Sequence, residues 1–505
     1  MHVKPPTPKL AGPTSETQLI PQVLARVQGI QLRSVARAPR SVRVTVDSSL
    51  TALSLRDSVT GPTARLLRVS TSWESWSPGH SNSRSHAERR QLAWCSTVSA
   101  RLDSVQTTST ASVDGHGFLN SHAMIGRDPP VVVVGASSSG LFAASLLAQA
   151  GVPVQVYDRL GSVGTADRTL IVTPELCRTL GFSPQSAILQ QVHTLELSAN
   201  GTCVPLRLDE PDLIIERSEL IRLLTSRAEL AGAEIRFGQR FVGIEQDGQF
   251  AAVMFHDRSR DTTRRVLARA VIAADGAASR VAYCLGASPL PLVSVVQTRV
   301  ELPHTTDSGV GKVWFVPNDT RYFYWLCPES SHTAMIGLVD DSPAVRPKLD
   351  RFVRQRGLQP GVYQAALIPL YEPRRAAQRR IGRTPVLAVG DAGGQVKVTT
   401  IGGTVTGLRA ARAAAQAIIG GSPYNRELAA VTRELLLHWL VRRLMNRFGG
   451  TEYAMLLEAL RGRAGRLLQI HNRDQIAGAF WPILAAQPRL SLLAAQVLLR
   501  AGIQD

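Results

Sequence analysis

The sequence predicts an α/β protein: a Rossmann-like βαβ domain, an antiparallel β-sheet inserted into it, and a helical region at the C-terminal end. Three stretches carry this expectation. Residues 131–158 open with four valines and close on an acid. Residues 270–281 run from Ala-Val-Ile-Ala into Asp275-Gly276. Residues 386–394 run from Val-Leu-Ala-Val into Gly390-Asp391. Each reads as a buried strand ending in a turn that leads into a helix.

In the first stretch Val131 to Val134 is β-branched throughout, as suits a strand buried on both faces. Gly135 permits a tight turn, and Gly140 permits close packing of the following helix. The first helical N–H groups, around Ser137 and Ser139, are free to meet a pyrophosphate. A second strand ends at Asp158, which is placed to accept hydrogen bonds from a ribose, with Arg159 beside it. Ser137 stands where the middle glycine of a G-x-G-x-x-G turn is expected, so the approach to the phosphates is more crowded there.

The chain has 505 residues, enough for several domains, and 44% apolar content suits a globular protein. The net charge of +18 is dominated by arginine, and no nucleic-acid-binding motif accompanies it, so a nucleic-acid partner is not expected. The five cysteines show no C-x-x-C spacing, which argues against structural zinc, any other metal site and a disulfide framework, and for a reducing, cytoplasmic setting.

Residues 1–123 are rich in Ser, Thr, Arg and Pro and carry no sustained period. They read as a disordered or spurious extension ahead of a natural start at Met124, in preference to an organelle transit peptide. The nucleotide-binding domain is expected over 124–290 and again over 376–420, with the antiparallel sheet at 291–375 and helices over 421–505. Within the first part, a helix capped by Ser218 follows a strand over 213–217, and Ile235 begins a small antiparallel ribbon. Near the C-terminal end, Leu435, Leu436, Trp439, Leu440 and Leu444 form one apolar face beside Arg442, Arg443 and Arg447. That pattern fits helices packed on a core, or a basic surface in peripheral contact with a membrane.

Taken in order, the G-x-x-x-x-G turn, Asp275-Gly276 and Gly390-Asp391 resemble flavoproteins of the p-hydroxybenzoate hydroxylase fold. The resemblance implies FAD, with Asp391 at its ribityl chain and Arg217 near the adenosine and pyrophosphate. Gly390 to Gly403 is similar to the G-D-A-A-G-x-V-K-P-T-T-G-G-G segment of the geranylgeranyl reductase family, with Val398 in place of the proline and Ile401 in place of a glycine. N–H groups near Gly402 and Gly403 would then face the flavin. Phe323-Tyr324-Trp325-Leu326-Cys327-Pro328 resembles the Y-x-W-x-F-P stretch of the same family, which makes Trp325 a substrate-side candidate or a core residue of the sheet. The implied activity is an FAD-dependent ene-reductase acting on a prenyl or other apolar small molecule. NAD(P)H or a redox partner would supply electrons transiently, because no second nucleotide-binding turn is present. The alternatives are a flavin monooxygenase or halogenase, and a degenerate flavin fold that binds without catalysing. No residue can be named from sequence as the proton donor.

Overall fold

The computed structural model describes residues 36–38, 41–43, 128–164, 167–302 and 307–502. The chain divides into two units, and the described part of Leu32–Gly126 is an antiparallel pair, Ala36–Ala38 with Ser41–Arg43. The sequence reading anticipates no such pairing. The rest of its expectation for residues 1–123 lies outside the described residues.

The larger unit is built from three sheets and flanking helices. In chain order its elements are β1 (Val131–Val134), α1 (Ser138–Gln149), β2 (Val154–Tyr157), β3 (Thr169–Val172) and α2 (Glu175–Leu180). Next come β4 (Ile188–Ala199), β5 (Thr202–Glu216), α3 (Arg217–Leu230), β6 (Glu234–Arg236), β7 (Gln239–Asp247), β8 (Phe250–Asp257), β9 (Thr262–Ala268), β10 (Ala270–Ala273) and α4 (Arg280–Cys284). Then follow β11 (Leu292–Glu301), β12 (Val310–Phe315), β13 (Tyr324–Pro328), β14 (Thr333–Asp340), α5 (Val345–Arg354), β15 (Tyr363–Pro369), β16 (Gln378–Ile381) and β17 (Thr384–Ala388). The remainder is helical: α6 (Thr404–Gly420), α7 (Tyr424–Glu427), α8 (Ala429–Met445), α9 (Gly450–Ala459), α10 (Arg463–Ile470), α11 (Ile476–Ala486) and α12 (Pro488–Gly502).

The first sheet has the order β16-β17-β10-β1-β2-β6, parallel except at the β16 edge. The valines of β1 show why it sits in the middle. Val131 and Val133 face the core formed with α1, α3 and α6, while Val132 and Val134 face the ribbon β9-β8-β7. A strand with two covered faces has no polar position to spare. Tyr157 closes the ribbon side by stacking on Phe255, with ring centroids 4.0 Å apart.

The second large sheet has the order β15-β11-β14-β13-β12-β4-β5-β3 and is antiparallel apart from the β12–β4 pair. It differs from the expected insertion over 291–375 in recruiting β3, β4 and β5 from earlier in the chain. The strand expected at 213–217 is the tail of β5. Register jumps from Thr194 opposite Arg207 to Val192 opposite Asp212, so a bulge at 208–211, with Pro211 inside it, hides the continuity. The strand at Ile235 is β6, an edge of the parallel sheet and not of the ribbon. The cap of α3 is Glu216, which accepts from the Ser218 N–H at 3.1 Å, while the Ser218 hydroxyl donates to Asp167 at 3.0 Å.

The C-terminal helices pack on the second sheet through Met445, Phe448, Tyr453 and Leu457. Arg442, expected on a basic surface, is buried. Its Nε donates to Asn446 Oδ1 at 2.6 Å and its guanidinium lies 4.6 Å from the Tyr322 ring.

Candidate active site

A single turn separates β1 from α1, and it solves the problem set by a serine at the middle glycine position. Ser137 takes extended backbone angles, and its Oγ accepts from the Gly140 N–H at 3.2 Å as the cap of α1. The side chain is folded onto the helix end. Gly135, at φ +106°, passes so close to β10 that a Cβ would lie 2.4 Å from the Ala274 carbonyl oxygen. The Asp158 carboxylate locks the turn to β2, accepting from Ala136 N–H at 2.7 Å and Leu160 N–H at 2.8 Å.

The Gly390-Asp391 turn meets that helix end. Gly390 has φ +62°, and a Cβ on it would lie 2.8 Å from Ser139 Oγ. Gly407 in α6 approaches the same atom, with a Cβ position 2.7 Å from Ser139 Oγ and 3.0 Å from Gly390 Cα. Gln395 holds the turn shut: its Oε1 accepts from Gly390 N–H at 2.6 Å and its Nε2 donates to Ala388 O at 3.0 Å. Burial raises the Asp391 carboxyl above its ordinary range, opposed by the Arg168 and Arg217 guanidiniums. Burial pushes Arg168 down to about 10, and its Nε is buried without a hydrogen-bond partner.

Beyond Asp391 the chain forms a tight loop. Ile401 N–H donates to Lys397 O at 2.7 Å, and Lys397 N–H donates to Gly402 O at 3.1 Å. Ile401 is held at φ +55°, a conformation that costs a β-branched residue dearly. The Lys397 side chain turns inward and its Nζ lies 2.5 Å from Asp474 Oδ1, in the link between α10 and α11. Four further groups bind that link. Thr173 donates to Asp474 Oδ2 at 2.6 Å, Gln475 donates to Glu175 at 2.7 Å, Arg409 donates to the Asp474 carbonyl at 2.7 Å, and Arg473 pairs with Asp212.

These elements enclose one cavity of ≈ 540 Å³. Its polar end includes Ser137, Ser139, Arg168, Arg217, Gly390 and Asp391, and the 399–403 loop lies along it. Its sheet side is walled by leucines of β4 and β5 and by Phe315, Phe323 and Trp325, with Glu210, Asp212 and Lys312 among them. Trp325 lies flat over Gly337, where a Cβ would come within 2.1 Å of the indole, so only glycine fits beneath the ring.

The sequence-derived residues therefore divide. Ser137, Ser139, Arg217, Gly390, Asp391, Gly402, Gly403 and Trp325 line the cavity. Gly135 and Gly140 are buried behind it and shape the turn. Asp275 is not part of the lining; its carboxylate accepts from Ser279 Oγ at 2.6 Å and Val281 N–H at 3.1 Å, securing the turn into α4. Arg159 is exposed and lies off the cavity. Sequence reasoning missed Arg168, Lys397, His438 and Asp474, all on the wall. Among the described residues no cluster suited to a metal ion occurs.

The donor set fits the phosphates and hydroxyls of a dinucleotide. A helix N-terminus at the cavity, two guanidiniums acting on one buried carboxylate, and an orphaned guanidinium Nε suit an anionic ligand.

Residues 128–417 match the FAD-binding domain family. The chain belongs to that family. It is an FAD-dependent oxidoreductase with geranylgeranyl reductases among its homologues. It is 27% identical over 368 residues to digeranylgeranylglycerophospholipid reductase 2 of Methanothermobacter thermautotrophicus, covering 66% of this chain and 92% of the relative. It is 24% identical over 355 residues to digeranylgeranylglycerophospholipid reductase of Methanocaldococcus jannaschii, covering 65% and 90%. A geranylgeranyl bacteriochlorophyll reductase-like protein from Thermoplasma acidophilum shares the fold at a TM-score of 0.61 and 17% identity, over 72% of this chain and 99% of that one.

Proposed function

We propose that this FAD-dependent oxidoreductase reduces alkene bonds of a prenyl chain. The observation that carries the reading is the continuity of the cavity, from a charged, glycine-lined end to a wall of leucine and aromatic side chains. A long hydrocarbon with a polar head matches that gradient. The names of the relatives, which are prenyl-lipid reductases, support the same class.

Bound FAD supplies the two-electron chemistry. The chain's own residues hold it: the start of α1 with Arg168 and Arg217 takes the pyrophosphate, Asp158 accepts from the adenosine ribose, and Asp391 accepts from the ribityl hydroxyls. N–H groups around Gly402 and Gly403 favour negative charge on the ring edge. The apolar wall excludes water and lines up the alkene. NAD(P)H, or a protein redox partner, is the transient electron source. The domain roles follow: 124–290 and 376–420 bind cofactor, while 291–375 with the 421–505 helices holds substrate.

No described helix is long and apolar enough to cross a membrane. Trp481 on α11 is 73% exposed, which supports peripheral contact with a bilayer from which the substrate enters.

The deciding experiment is a visible spectrum of the purified full-length protein, then anaerobic incubation with NADPH or dithionite and geranylgeranyl diphosphate. A yellow protein yielding a product heavier by two hydrogens supports the reading. A product gaining one oxygen under air assigns a monooxygenase instead, and a colourless protein that takes up no FAD overturns both.

A further inference from the structure

Alkene reduction requires a proton as well as a hydride, and one cluster on the cavity wall is built to move one. Thr399, on the loop after Gly390-Asp391, lines the cavity and hydrogen-bonds through Oγ1 to His438 Nδ1. His438 lies in α8 and is 1% exposed. Its other ring nitrogen faces Glu434 Oε1 at 3.3 Å, within ion-pair distance though off the hydrogen-bond line. Glu434 is one helical turn earlier, and its carboxylate is fixed by the first two N–H groups of α11, from Ile476 at 2.7 Å and from Ala477 at 2.9 Å. A carboxylate, an imidazole and a hydroxyl thus stand in line, and the hydroxyl is at the cavity.

We propose that Thr399 is the proton donor of the reaction, recharged by His438, whose orientation Glu434 sets. The inference rests on the ene-reductase reading above. As a hydride from the reduced cofactor adds to one alkene carbon, the π pair of the alkene takes the Thr399 hydroxyl proton at the other. Thr399 Oγ1 takes the Nδ1 proton of the His438 imidazolium in the same motion, leaving neutral imidazole that solvent reprotonates after product leaves. Two electrons and two hydrogens enter the substrate, and the net donors are the reduced cofactor and one proton from water.

The charged groups around the ring fit this use. Glu434 faces it from its own helix, Lys397 from the loop before α6, and Asp474 from the link before α11. Burial lowers the imidazolium's affinity for its proton, opposed by Glu434, which makes it a stronger acid toward Thr399. Activity limited by the imidazolium form falls as pH rises through a value below the ordinary histidine range.

The test has two arms on the full-length protein. In the first, imidazole ¹⁵N NMR without substrate reads His438 directly: neutral His438 carries its proton on Nε2, and Thr399→Val moves the Nδ1 resonance, whereas Thr399→Ser leaves it near the wild-type position. An Nδ1 signal indifferent to Thr399→Val overturns the relay. In the second, single-turnover reduction of geranylgeranyl diphosphate is followed across pH. Thr399→Val and His438→Gln each slow turnover at least 10-fold with little change in KM and abolish the fall in rate with rising pH, while Thr399→Ser keeps most of the rate and that fall, with the yellow spectrum confirming folded protein throughout. Variants matching wild type in rate and pH profile overturn the relay alone. A wild-type protein with the coupled His438–Thr399 pair that reduces no prenyl alkene overturns the reductase reading, and with it the destination of the proton.

Discussion

The Lys397 ammonium and the Asp474 carboxylate meet at 2.5 Å with side chains only 6% and 1% exposed. One belongs to the loop after the Gly-Asp turn, the other to the link before α11, so this pair fastens the C-terminal helices to the cofactor side of the cavity. Removing one partner strands a buried charge. Lys397→Met or Asp474→Asn should each cost about 3–5 kcal/mol in denaturant unfolding, and the double variant less than the sum of the two.

The same pair sets an acid limit. Burial would raise the Asp474 carboxyl, but the Lys397 ammonium and Thr173 hold it below the ordinary carboxylate range. A depressed folded value contributes stability above the unfolded carboxylate pKa, and that stability is lost as pH falls through the folded one. Acid titration of stability should therefore be less steep in Asp474→Asn than in the wild type.

Ile401 at φ +55° gives a test of backbone strain in the loop. Glycine normally destabilises relative to alanine by about 0.5–1 kcal/mol. At a left-handed position the order reverses, because alanine keeps the clash and glycine does not. Ile401→Gly should be more stable than Ile401→Ala by about 1 kcal/mol in thermal or chemical unfolding.

The Gly407 junction predicts a packing defect. A methyl there collides with Ser139 Oγ at 2.7 Å and with the Gly390 backbone at 3.0 Å. Gly407→Ala should cost about 1–3 kcal/mol and lower FAD occupancy, and Ser139→Ala in the same chain should recover part of the stability.

Cofactor retention separates the two acids. Asp391→Ala should reduce the FAD carried through purification, read by absorbance near the flavin band. Asp158→Ala should reduce it less, because part of the Asp158 carboxylate's work is to tie Ala136 and Leu160 N–H groups to β2.

Local signals made the cofactor half readable. Four valines, a glycine turn and a terminal acid lie within one stretch, and the lack of polar alternation in β1 reports its two covered faces. The Ser137 substitution is legible only in part: its capping of Gly140 follows from residue type, but its harmlessness depends on the side chain rotating onto the helix. The far wall was opaque for a different reason. Glu175, Asp212 and Thr173 meet residues 472–475 across 261 to 301 positions, and no periodicity links segments so far apart. His438 and Arg442 sit on an amphipathic helix whose pattern suggests a solvated basic face, and only tertiary packing turns them inward. The sheet extends beyond the expected antiparallel insertion because β4 pairs with β12, encoded about a hundred residues later, and carries β5 and β3 with it.

The link at residues 471–475 also governs when the protein can become itself during synthesis. Thr173 waits for Asp474, 301 positions downstream, before its hydroxyl finds a partner. Until the ribosome has released that segment, a nascent chain presents the leucine and aromatic lining of the cavity to solvent. Slow translation near the end of the message should then raise aggregation more than an equal pause within β1 to α1, before the strands that line the cavity have been made.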